Sequence, residues 1–297
     1  MRYLIAVSLI WSLSFGLISV RFGGVDSNLL GFARLAIALP FFLPFLRLSD
    51  LPLRTLFSLL AIGAVQYGLM YAALFHSFKY LQGHEVALLT VFTPFYVVIF
   101  HSLFSRSWNS LFYLSALLAL AGGAWIYLPA EFNAPLTGIL WMQVSNAAFA
   151  LGQVWYVRCK PAERSDLSLY AIPFAGAVSI TALATTFSSG WSGVLNLDSA
   201  QWITLVYLGA VASGLCFFWW NKGATQVNSG ALAAMNNLKI PLAVLISVLV
   251  FQEQASLIAL VGGAFLILSG IYAATRGKSI NSSQHNQKSQ TKTVKQL

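Results

Sequence analysis

The sequence predicts an all-α integral membrane protein, with ten transmembrane helices arranged as two inverted five-helix repeats. Three observations carry this prediction: apolar runs of membrane-crossing length, a one-sided distribution of cations, and a stretch of the fifth run that recurs in the tenth. The solvent comes first. Hydrophobic residues make up 58% of the chain and charged residues 8%, against about 25% charged in soluble domains. Runs such as Tyr3 to Val20, Ser110 to Leu128 and Leu257 to Ala274 have the length, roughly 20 residues at about 1.5 Å each, that crosses a hydrocarbon core as a helix.

The spans are bounded by Gly, Pro and charge. They fall at 3–20, 29–46, 55–76, 85–104, 110–128, 136–157, 168–187, 201–220, 229–250 and 257–275. The first follows Arg2 as a secretory signal would, but no small-x-small cleavage site comes after it and further runs do, so it reads as a retained span. With the N-terminus in the cytoplasm, thirteen of the seventeen cations lie in inner segments and only Arg21 and Lys79 lie outside, while Arg34 and Lys239 fall within spans. The positive-inside rule then places both termini in the cytoplasm of a chain that crosses the membrane many times. The +9 net charge therefore reflects orientation. Nucleic-acid binding needs basic residues clustered on a folded surface, and here they are scattered in loops and a tail. That tail, residues 276–297, has no acidic or aromatic residue and is expected to be a disordered basic segment. Cys159 and Cys216 are expected as free thiols.

"ALAGGAWIYL" (119–128) and "ALVGGAFLIL" (259–268) agree at six of ten positions. Pro94 aligns with Pro241 upstream, and Gly83 with Gly230. The chain divides into residues 1–130 and 131–275, each with five spans. Five is odd, so the second half enters from the opposite face, as in transporters whose halves exchange conformations around a midplane site. The paired glycines Gly122–Gly123 and Gly262–Gly263 suit close helix packing.

The ninth span holds the unusual residues, in "MNNLKIPLAV" (235–244). Lys239 lies mid-span, where an ammonium left in lipid costs about 3 kcal/mol or more, so it is expected to face a cavity. Asn236 shares its helical face, and the pair suits an anionic or strongly polar cargo group. Pro94 and Pro241 each remove one backbone hydrogen bond in mid-span, stripping the carbonyls of Thr90 and Asn237 of their helical partners. Such carbonyls need a donor or a wet cavity. Lys239, Asn236, Asn237, Thr90 and Tyr71 are the candidate cargo residues, and Pro94 and Pro241 the candidate hinges. Arg34 is expected to pair with Glu85, as a structural or gating ion pair in preference to a cargo contact. Trp219 and Trp220 are assigned to an interfacial belt. The histidines His76, His84 and His101 fall toward span ends and read as satisfied or interfacial groups.

Span number, duplication, the prolines of spans four and nine, Trp11, Arg34 and the stretches "GHEVALLTVFTPFYVVIF" and "GALAAMNNLKIPLAVLISVLVFQE" together resemble the drug/metabolite transporter superfamily, EamA type, over residues 1 to about 275. The resemblance implies a carrier of the cytoplasmic membrane, commonly an exporter of amino acids, metabolites or drugs. Family members often close spans four and nine with Gly-Glu. Here Ser105-Arg106 and Gln252-Glu253 stand in those places, and Lys239 belongs to no family signature.

The function expected is secondary transport, as an exporter, of a small polar metabolite such as an amino acid or organic acid, by alternating access. The alternative is a non-transporting membrane sensor or assembly partner. An enzyme is not expected: there is no P-loop, and His84-Glu85 lacks the second histidine of H-E-x-x-H. No cofactor or metal is expected. The partners implied are a small-molecule substrate and the lipid bilayer, with a homo-oligomer compatible with the sequence.

Overall fold

The computed structural model describes residues 1–22, 25–81, 83–127, 134–188, 191, 197–250 and 256–277. The basic tail beyond residue 277 and the pair Gln252-Glu253 lie outside the described residues, within which all regular structure is helical.

Segment α1 is Arg2–Arg21. Segment α2, Ser27–Ala38, starts where the Asp26 carboxylate accepts Leu29 N–H at 2.9 Å, and it continues through two 3₁₀ turns, Leu39–Phe41 and Leu43–Phe45, each opened by a proline. Segment α3 is Leu53–Ser77. Segment α4 comprises Gly83–Leu89 and Thr93–Ser105, joined by the 3₁₀ turn Thr90–Phe92. Then come α5, Ser110–Tyr127, α6, Leu136–Cys159, and α7, Asp166–Phe187. Segment α8, Ser199–Ala224, begins at a capping box between Asp198 and Gln201 that satisfies two otherwise orphaned N–H groups. Segments α9, Ser229–Val250, and α10, Leu257–Arg276, close the chain, with Ser256 capping α10 through Ala259 N–H.

Among the described residues, seven stretches, in α2, α3, α4, α7, α8, α9 and α10, are long and apolar enough to cross a membrane. Segment α6 is longer than most, at 24 residues, but Gln143, Ser145, Asn146 and Gln153 lower its mean hydropathy. Ser145, Asn146 and Gln153 are buried, so α6 turns its polar side inward. Segment α10 does the opposite. Leu257, Ile258, Val261, Phe265 and Leu268 are all exposed, a surface that suits lipid rather than water.

Glycines set three close seams. A Cβ on Gly122 or Gly263 would lie 2.5 Å from the other residue's carbonyl oxygen, so α5 and α10 cross in backbone contact. Gly63 of α3 sits on α7, where a Cβ would lie 1.7 Å from Pro173 O, and Gly176 returns the contact at 2.1 Å from Leu60 O. Gly209 of α8 sits on α2, where a Cβ would meet Ile37 Cβ at 2.7 Å and Arg34 O at 3.1 Å.

A second internal match emerges at these seams. "GAVQYGL" (63–69) in α3 and "GAVASGL" (209–215) in α8 agree at five of seven positions. Both adopt the same rare geometry: Ala64–Leu69 and Leu208–Leu215 are π-helical. Single π-turns inside α-helices are frequent at functional sites.

The prolines behave differently from each other. Pro94 ends one helix and starts the next, and Pro241 sits inside the continuous α9. The carbonyls freed near Pro94 all find donors. Asn146 Nδ2 donates to Leu89 O at 2.8 Å, Thr93 donates to Thr90 O through its backbone N–H and, at 2.8 Å, its hydroxyl, and Asn237 Nδ2 donates to Val91 O at 3.1 Å. Asn237 Nδ2 also reaches Ala119 O at 2.9 Å. Two asparagines from α6 and α9 thus hold the break in α4, which meets the requirement that backbone groups in lipid be satisfied internally.

Candidate functional site

Trp11 of α1 is the centre of an aromatic cluster, a chamber of packed rings. Its ring lies 6.0 Å from Phe149 of α6, and 5.6 Å and 5.1 Å from Phe217 and Trp220 of α8. Tyr67 of α3 stacks on Phe217 at 4.2 Å. The Trp11 indole N–H donates to Ala212 O at 2.8 Å, within the π-turn of α8, so the ring is fixed by a hydrogen bond as well as by packing.

Lys239 borders this chamber. Its Nζ lies 5.8 Å from the Trp11 ring centroid, the residue is half-buried, and its carbonyl accepts Ser12 Oγ at 3.0 Å, tying α9 to α1. A cation over an indole face is favourable, more so away from bulk water. Asn236 Nδ2 donates to Leu232 O at 2.8 Å and to Gln153 Oε1 at 3.4 Å. Those two acceptors fix the amide's orientation, and among the described residues Asn236 Oδ1, like Asn237 Oδ1, is left buried without a partner. Gln153 Oε1 also accepts the Trp220 indole N–H at 2.9 Å.

Beside the chamber runs a polar seam joining α3, α7 and α8. Gln66 Nε2 donates to Asn221 Oδ1 at 2.8 Å and Asn221 Nδ2 donates back to Gln66 Oε1 at 3.0 Å. Asn221 Nδ2 also reaches Tyr67 OH at 2.8 Å. Tyr67 and Tyr170 share a hydroxyl contact, and Tyr170 OH donates to Phe217 O.

Arg34 is placed differently from the sequence expectation. Its Nε donates to Ser213 Oγ at 3.1 Å and its guanidinium lies 5.0 Å from the Tyr71 ring centroid. It forms no ion pair with Glu85, because the close seating of α2 on Gly209 brings Arg34 to the π-turn of α8 instead. Among the described residues the ion pair present is Lys160–Asp166, at 3.7 Å.

The remaining candidates separate. Tyr71 borders the chamber through Phe217, at 5.9 Å. Asn237, fully buried, faces α4 and α5, and the Thr90 hydroxyl bonds back to Ala87 O at 2.7 Å. Both therefore serve the proline break and not the chamber. Trp220 belongs to the chamber, not to a belt, since it is 1% exposed and bonded to Gln153. His101 Nδ1 meets Ser229 Oγ at 2.7 Å, as a satisfied histidine should. Gln66, Gln153, Asn221 and Ser213 escaped the sequence reading. Their signal was a single polar residue in an apolar run, together with the repeated heptapeptide. Cys159 and Cys216 are free thiols, and no group of three His, Cys, Asp or Glu side chains suited to a metal occurs among the described residues.

A helical membrane bundle that keeps a cation and amides within an aromatic interior has the character of a small-molecule transporter. The chain belongs to the EamA-like transporter family, which it matches over residues 1–128 and again over 136–276. It is 36% identical, over 94% of its own length and 98% of the relative's, to a probable biotin transporter of Pseudomonas aeruginosa. It is 34% identical to biotin transporters of Escherichia coli K12 and Salmonella typhimurium, covering 96% of each chain. A solved protein structure with 19% identity superposes with a TM-score of 0.72, covering 92% of this chain and 95% of that one, a likeness of fold.

Proposed function

We propose that this protein carries biotin across the cytoplasmic membrane by alternating access of two inverted five-span halves, with both termini in the cytoplasm. The observation that carries this reading is the chamber around Trp11, where Lys239 and Asn236 lie against aromatic walls in a chain whose relatives are named biotin transporters. Biotin joins a flat ureido ring and a sulfur ring to a pentanoate tail, so it offers apolar surface between polar ends. An aromatic surface carrying a few fixed polar groups suits such a molecule.

Three features support two exchanging halves. Each half matches the family separately. The two GAV-x-x-GL stretches are both π-helical. Their glycines seat α3 on α7 and α8 on α2, the exchange of partners that a two-fold axis relating the first five segments to the last five requires. On this reading residues 1–130 and 131–275 are the repeats and 276–297 a cytoplasmic tail. The bundle crosses the membrane ten times, Pro94 and Pro241 are the paired hinges, and no catalytic step is involved.

Purified protein in liposomes tests this with radiolabelled biotin placed outside or inside, so that uptake and efflux are both read. Saturable, protein-dependent flux in either direction is expected. Its absence, with the protein folded and inserted, overturns the proposal.

A further inference from the structure

Arg34 carries a charge that the chamber does not neutralise. It is 5% exposed within the longest apolar run of α2, and a guanidinium keeps its proton in any protein environment. The acid expected to compensate it, Glu85, is not within ion-pair reach, and its contacts among the described residues, Ser213 and Tyr71, are neutral. A nearly buried cation without an anion beside it is strongly disfavoured.

The two neutral contacts do something else: they orient. Ser213 takes the Nε edge and Tyr71 covers the face, while Tyr71 OH lies 3.4 Å from Ser213 Oγ and so closes the clasp. Nη1 and Nη2, which meet no acceptor among the described residues, remain as a planar pair of donors. That geometry matches the two oxygens of a carboxylate, which arginine binds through two parallel hydrogen bonds. The clasp is also built from both halves of the chain, since Ser213 sits in the π-turn of α8 and Tyr71 follows the π-turn of α3. Arg34 and Lys239 border one aromatic wall, through Tyr71, Phe217 and Trp11 in turn.

We infer that Arg34 is the carboxylate anchor of the cargo site, and that the cargo lies along this wall with its carboxylate on Arg34 and its neutral polar end at Asn236 and Lys239. Resting on the biotin reading, this assigns the pentanoate to Arg34. The ureido N–H supplies the donor that Asn236 Oδ1 lacks, and the Lys239 ammonium donates to the ureido oxygen. A carboxylate at Asn236 would instead set oxygen against oxygen.

The test compares biotin with biotinamide, whose tail is uncharged, as competitors of biotin flux in liposomes. Wild-type protein is expected to prefer biotin by about 100-fold, as sites built around a charged hydrogen bond do. In Arg34→Gln, the apparent affinity for biotin falls toward that for biotinamide and the preference collapses. In Lys239→Met both compounds weaken together and the preference survives. Arg34→Lys keeps the charge but loses the fork, and the preference is expected to drop about tenfold, so this variant serves if the glutamine variant does not fold. A wild-type preference in folded Arg34→Gln or Arg34→Lys, or a collapse confined to Lys239→Met, overturns the assignment while biotin transport stands. A wild-type protein that moves no biotin removes the transport reading and this inference with it.

Discussion

Gly63→Ala is expected to destabilise the bundle more than any other single methyl addition at the glycine seams. The added Cβ would lie 1.7 Å from Pro173 O, 2.3 Å from Pro173 C and 2.5 Å from its Cα. All three are backbone atoms that cannot rotate away. Ordinary contact begins near 3.4 Å, so α3 and α7 must separate by well over an ångström along a seam that Gly176 also sets. Overpacking typically costs about 1–3 kcal/mol, and a rigid backbone neighbour puts this case at about 3 kcal/mol. Gly262→Ala is the control. There the nearest atom is Trp125 Nε1 at 3.1 Å, at the tip of an exposed side chain that can shift, and alanine is favoured over glycine in a helix by about 0.5–1 kcal/mol. Melting of the purified protein in detergent, followed by tryptophan fluorescence, reads the difference. At about 2–4 °C per kcal/mol for a chain of this size, Gly63→Ala should lower Tm by about 6–12 °C and Gly262→Ala should leave it unchanged or slightly raised. Equal Tm values for Gly63→Ala and wild type would refute the backbone contact between α3 and α7.

Other expectations follow from the polar groups. Lys239→Met should fold and insert normally while biotin flux persists with a weakened apparent affinity, whereas an unchanged affinity would make the residue a packing element. Gln66→Leu leaves Asn221 Oδ1 without its donor and should cost about 1–3 kcal/mol by detergent melting, while Gln66→Leu with Asn221→Leu, which removes both partners, should recover most of that loss. Failure of the double variant to recover stability would mean that Tyr67 depends on the pair. Asn237→Leu removes two hydrogen bonds worth about 0.6 kcal/mol each in a membrane interior, so it should lower Tm by a few degrees and leave cargo affinity intact. A selective loss of biotin affinity would return Asn237 to the cargo site.

Much of the fold class was legible because composition alone states which solvent the surface meets. A chain that is 8% charged cannot be hydrated as a soluble protein, whatever its tertiary contacts. Lys239 and Asn236 stood out for the same reason, as costly groups in an apolar run. Asn237 shows where that reasoning stops. It is one residue from Asn236, and one residue turns a helical side chain by about 100°. Asn236 therefore reaches Gln153 and Asn237 reaches the carbonyls of Val91 and Ala119. Both look like cargo residues until the neighbours of α9 are known. Arg34 is similar: the need for a partner was visible, but Ser213 lies 179 positions away and no local pattern selects it over Glu85.

The sequence by itself determined that this is a helical membrane protein with a costly cation in α9, because burial in lipid penalises charge and unpaired backbone residue by residue. The tertiary structure decided which polar groups answer each other: Arg34 with Ser213 and Tyr71, Gln66 with Asn221, Asn237 with the break at Pro94. Those pairings depend on which helix faces meet, and glycine seams between distant segments set that, bringing together backbones that the chain order leaves far apart.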